Sequence, residues 1–143
     1  MKFIKYNRHN GRILACGSQP GSVPLLGLDN EAFIIVQNIP DVKGFYVDLA
    51  NKTLLPMPIL PVTIDRAEIV ADGVDIATIQ VPTEDKYGND MTVRLFFDGQ
   101  YSVIGDGVLE FSTIVEGTHS LRFDAINYKP ITVEIVANAP ETS

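Results

Sequence analysis

Four aspartates in the segment ADGVDIATIQVPTEDKYGND, namely Asp72, Asp75, Asp85 and Asp90, come nearest in this chain to a set that could hold a metal. Carboxylate oxygens suit calcium, and two acidic loops could share one ion if the fold brought them together. The spacing lacks the ordered ligand ladder of a calcium loop. A plainer reading uses the same residues. Asp and Asn side chains accept hydrogen bonds from nearby backbone N–H groups, and Gly73 and Gly88 take backbone angles that other residues avoid. On that reading the acids punctuate turns on either side of one short strand, and no metal is expected.

The remaining reactive side chains are sparse. His9 and His119, the only histidines, lack the neighbouring Cys, Ser or carboxylate pattern of a triad and read as solvated surface groups. Glu110 and Glu116 would form a glycosidase-like pair with Asp124 only if they met across neighbouring strands; a solvated sheet face is the simpler expectation. Cys16 stands alone, which rules out an internal disulfide and a Cys-rich zinc site, and it reads as a small packed side chain. Residues 17–22, Gly-Ser-Gln-Pro-Gly-Ser, lack the lysine and spacing of a phosphate loop. Phe33, Phe45, Tyr46 and Tyr101 could contribute to a sugar- or partner-binding patch, but with 8% aromatics and no Trp they read first as core. No catalytic residue and no cofactor follows from these residues.

The elements that would position these groups are short strands. At 143 residues, 45% hydrophobic and 20% charged, the chain is globular, with room for one ordinary domain or two small ones. No apolar signal core follows Met1, and the longest apolar runs fall far short of the ~20 residues that span a bilayer, so a soluble protein without membrane insertion is expected. Residues 1–60 carry six Lys/Arg against four Asp/Glu, and residues 61–143 carry five against fourteen. The acidic second half would repel phosphates, so no nucleic-acid partner is expected.

Residues 3–6 and 12–16 flank Asn10-Gly11, a hairpin signal, and residues 17–30 read as irregular. Residues 32–37 and 44–49 read as a second strand pair, followed by a turn over 48–52. Three prolines within residues 56–61 read as an extended linker, whose Met57, Ile59 and Leu60 could lay it against a domain surface. Beyond it, period-two alternation dominates: Ala77, Ile79 and Val81; Val93, Leu95 and Phe97; Leu121, Phe123 and Ala125; Ile131, Val133 and Ile135. Asp72-Gly73, Gly88-Asn89, Asp98-Gly99, Asp106-Gly107 and Glu116-Gly117 supply turns between these runs, as an antiparallel sandwich requires.

Ala71, Asp72, Gly73, Asp75, Ala77, Thr78, Ile79, Val81, Asp85, Tyr87, Gly88 and Asn89, with Glu116-Gly117-Thr118, Leu121 and Phe123 further on, carry a resemblance. The pattern resembles the bacterial group 1 immunoglobulin-like domain of invasin- and intimin-type adhesins, also inserted in virion proteins of tailed bacteriophages. The resemblance covers residues 62–138. Residues 1–61 are more loosely similar to small proteins encoded among bacteriophage tail genes. The implied architecture is all-β: a β-hairpin-rich attachment region over 1–55, a linker over 56–61, an immunoglobulin-like β-sandwich over 62–138 and a tail over 139–143. The implied function is a non-enzymatic structural part of a tail, baseplate or fibre. It would be synthesised in the host cytoplasm, located in the virion, homo-oligomeric and in contact with other virion proteins. A host-surface or glycan-binding adhesion module and a transient tail-fibre assembly chaperone are the alternatives.

Overall fold

A computed structural model describes residues 1–21 and 25–141. The described residues are all-β, contain no helix and divide into two compact units, Met1–Pro58 and Ile59–Ser143.

In the first unit β1 (Lys2–Asn7), β2 (Ile13–Ser18) and β3 (Glu31–Val36) form an antiparallel sheet in the order β2-β1-β3. The Asn10-Gly11 signal does produce the β1–β2 hairpin, through a longer turn in which the Gly11 N–H donates to the Asn7 carbonyl at 2.8 Å. Only Gly11 uses positive φ there, at 78°. A Cβ at Gly11 would lie 2.0 Å from the Val47 carbonyl oxygen, and the Val47 N–H donates to the Gly11 carbonyl at 2.8 Å. The missing side chain therefore lets the turn lie against β4 (Phe45–Asp48). Ile4, Tyr6, Tyr46 and Val47 are buried and make this unit's small core.

The expected pairing of residues 32–37 with 44–49 is corrected. β3 pairs with β1, Ile4 opposite Ile34, and β4 pairs with β5 (Thr53–Pro56). Loop closure favours the nearer partner: Asp48 accepts from the Lys52 N–H at 2.7 Å and from Asn51 Nδ2 at 2.8 Å, with Lys52 at φ 55°. Residues 56–61 are held by the units they join. Pro56 ends β5, the Met57 N–H donates to the Gly44 carbonyl at 2.8 Å, Ile59 bridges Lys129, and Leu60 is buried in the second unit. The apolar side chains among the prolines explain why: Leu60 is worth more inside a core than in water.

The second unit has two sheets. β10 (Gln100–Ile104), β9 (Val93–Phe97), β12 (Gly117–Asp124), β13 (Ile131–Asn138) and β7 (Glu68–Val70) form one, in that order; β11 (Val108–Phe111), β8 (Ala77–Gln80) and β6 (Thr63–Ile64) form the other. Every pair is antiparallel except β13 with β7. Ala77, Ile79 and Phe111 from the small sheet share one buried cluster with Val93, Leu95, Leu121, Phe123, Ile135 and Ala137 from the large one. The alternating residues sort as expected: the inward ones are buried or, like Phe97, Ala125, Ile131 and Val133, partly buried against the core, and Arg94, Arg122 and Glu134 are exposed. At Asp98-Gly99 both φ values are positive, 54° and 76°, which gives the tight β9–β10 turn the right-handed twist of its strands.

Phe123→Ala is expected to destabilise the second unit by about 3–5 kcal/mol, because the ring is fully buried and its removal leaves a cavity in the core. Arg122→Ala, one residue away on the exposed face, is expected to change stability by about 0.5 kcal/mol or less. Urea unfolding of both variants checks the facing.

Candidate functional site

The four aspartates build two separate corners. At the first, Asp72 Oδ1 accepts from the backbone N–H groups of Val74 and Asp75, each at 2.8 Å, and the Gly73 N–H donates to the Thr113 carbonyl at 3.0 Å. Asp75 Oδ2 accepts from the Val70 N–H at 2.8 Å, and its Oδ1 lies 2.6 Å from Arg66 Nη2, which also donates to the Ile76 carbonyl. The N–H groups of Asp75 and Val74 hold the Asp72 carboxyl below the ordinary aspartate range; the Val70 N–H, then Arg66, do the same for Asp75.

At the second corner Asp85 Oδ1 accepts from the N–H groups of Tyr87 and Asn89, at 2.8 and 2.9 Å, while Asp90 forms a backbone bridge with Glu84. Carboxylate oxygens that already accept from two or more backbone donors serve the chain's own turns. Among the described residues no group of three or more His, Cys, Asp or Glu side chains is placed to hold a metal ion.

The other flagged residues are likewise dispersed. Glu110 sits on β11 opposite Thr78, whereas Asp124 sits on β12 in the other sheet, bound to Arg94 Nε at 2.8 Å, so the carboxylate pair does not assemble. Glu116 lies in the loop before β12. His119 lies within β12, with Nε2 2.8 Å from the Val115 carbonyl and its ring 5.6 Å from Phe111, so it packs at the core margin and is not the freely solvated group expected. His9 lies in the β1–β2 turn, its N–H donating to Asn7 Oδ1 at 2.8 Å. Cys16 is half-buried on β2, and burial pushes its thiol up, away from the reactive thiolate. Of residues 17–22, expected to be irregular, Gly17 and Ser18 belong to β2, Gly17 beneath the Phe3 ring, and Ser22 lies outside the described residues. Tyr46 is core, as expected, and Phe33 packs edge-to-face on Phe3 at 5.7 Å, but Tyr101 is 61% exposed.

What the fold does present is sheet edge. β3 is an edge of its sheet and carries the run EAFIIV, yet Ile35 is 57% exposed. Beside it a groove of about 510 Å³ is lined by Arg8, Leu25, Leu28, Glu31, Phe33 and Ile35. β10 is an edge of the large sheet, with Tyr101 and Val103 exposed. The sequence did carry a signal for β3, since five consecutive apolar residues fit a strand covered on both faces, and here one flank is uncovered. No such signal marks β10, whose residues are exposed on both faces except Ile104.

Because both carboxyls are depressed, their contribution to stability is present above about pH 4, the ordinary aspartate range, and is lost as pH falls through their lowered values. Asp75→Asn is expected to melt below the parent at neutral pH, the gap closing in acid, as thermal melts across pH will read. Millimolar calcium is expected to leave the parent's melting temperature unchanged. No family model matches the chain, and no curated protein matches it.

Proposed function

We propose that the chain is a non-enzymatic structural component of a tailed-bacteriophage particle, in which the first unit attaches to the assembly and the second is displayed as an immunoglobulin-like module. The observation that supports the immunoglobulin-like part of the reading is strand order in the second unit; the particle role rests on the resemblance in sequence. β8 and β11 share one sheet and β9, β12 and β13 the other, and the opening segment contributes β6 to the first and β7 to the second, parallel to the final strand. That arrangement agrees with an immunoglobulin-like sandwich, whose second and fifth strands lie opposite its third, sixth and seventh. The resembling residues also fall where such a module needs corners: Asp72-Gly73 before β8 and Tyr87-Gly88-Asn89 after it. Its work would be shape, a stiff body held by a buried core and by acids that fix turns.

One observation favours a second reading, a glycan- or host-surface-binding module. Tyr101 lies exposed, its ring centroid 4.7 Å from that of Phe96, with the Arg94 guanidinium 5.4 Å over it and Asp124 beyond. A ring beside paired hydrogen-bonding groups suits a sugar face.

Mass spectrometry of purified infectious particles tests the first reading: stoichiometric copies are expected, and absence of the protein removes it. A chaperone would leave the finished particle. Glycan-array binding lost in Tyr101→Ala would favour the second reading.

A further inference from the structure

We propose that the β3 edge is a self-recognition site, at which two copies of the chain pair antiparallel about a twofold axis through Ile34 and join their three-stranded sheets into one of six strands. The inference goes beyond the reading above and holds for the isolated chain, whatever assembly carries it.

The backbone sets which groups are available. The Arg8 N–H donates to the Asn30 carbonyl at 2.8 Å, so along the β1–β3 ladder residues 30, 32, 34 and 36 address β1, and 31, 33 and 35 face outward. The outward groups of Glu31 are already used: its N–H donates to the Leu28 carbonyl at 2.9 Å, and its carbonyl accepts from Arg8 Nη2 at 2.9 Å. Phe33 and Ile35 remain, each with one N–H and one carbonyl directed away from β1. Among the described residues no strand hydrogen-bonds to that side of β3. An apolar edge left open in this way invites pairing.

Side chains then select the register. An axis through Ile34 sets Phe33 opposite Ile35 of the second copy, twice, Ala32 opposite Val36, and Ile34 opposite its own mate. Aromatic with β-branched is a favourable cross-strand pair. Glu31 falls opposite Gln37 at each end, so a carboxylate meets an amide and no charge meets its like. Moving the axis by one residue to Phe33 would instead set Glu31 opposite Ile35. Phe33 and Ile35 would exchange four backbone hydrogen bonds across the axis, and the ladder would stop where Glu31 is already satisfied.

The β10 edge supplies a contrast. Self-pairing of β10 about Ser102 would set Asp98 opposite Asp106 of the other copy at both ends, and like charges directly opposite oppose pairing. The unit that carries β10 holds fourteen acids against five bases, whereas the unit that carries β3 holds six bases against four acids. The unit that carries β3 therefore brings no net negative charge of its own against a second copy.

Sedimentation velocity on the purified full chain over a concentration series tests this directly. A concentration-dependent dimer is expected. Ile35→Lys is expected to weaken it on the order of 100-fold, since the substitution enters twice and places a charge opposite Phe33. Val103→Lys on β10 is expected to leave it unchanged. As a second readout, in a Cys16→Ser background, Ile34→Cys is expected to form a disulfide-linked dimer, because residues on the axis sit within disulfide range. Ala32→Cys, opposite Val36, is expected not to do so. A monomer at every concentration, a dimer indifferent to Ile35→Lys, or Ala32→Cys linking as readily as Ile34→Cys would each overturn the inference.

Discussion

Everything displayed by the second unit depends on one constraint: side chains at alternate positions of β8, β9, β12 and β13 must all leave water together. Ile79, Val93, Leu121, Phe123 and Ile135 do so, and each is fully buried. A strand has two faces with a period of two residues, so this requirement fixes which residues point outward as firmly as which point inward. Arg94, Arg122 and Glu134 are on the surface because their neighbours are in the core. The register that buries Phe123 also places Asp124 beside Arg94, at 2.8 Å, on the solvent face.

The acidic corners follow from that core. A chain that reverses direction at the end of each buried strand leaves backbone N–H groups without strand partners, and Asp72, Asp75 and Asp85 take them up. The acid-rich composition of this half is thus partly a consequence of its many turns, and their charge helps protect open edges such as β10 from pairing. The first unit has fewer acids and a smaller core, and it leaves apolar surface along β3 in place of a charged margin. The two units therefore handle the same liability of short-strand architecture in opposite ways.

The sequence made the alternating strands legible because one of their faces is buried, so polarity records position. Asp98-Gly99 and the segment from Asp72 to Asn89 were legible for a related reason, since turn residues act through their own neighbours. β10 was not legible, because Tyr101 and Val103 are exposed and its remaining residues follow no core rhythm. The partner of β3 was not legible either: Ile4 and Ile34 meet across thirty residues, and no local pattern encodes that choice. Prolines around Leu60 mark the extended segment, and its apolar side chains mark that it lies against a domain, but which core takes Leu60 depends on distant strands. His119 was read as solvated since nothing in its neighbourhood announces Phe97 and Phe111.

The division of the opening segment between two sheets is what links core, corners and the proposed structural role, and interstrand nuclear Overhauser contacts measure it most directly. The account predicts parallel contacts joining Ile69 to Ala137 together with antiparallel contacts joining Ile64 to Ile79. Antiparallel pairing of residues 68–70 with 136–138, or residues 63–70 forming one continuous strand in a single sheet, would contradict it.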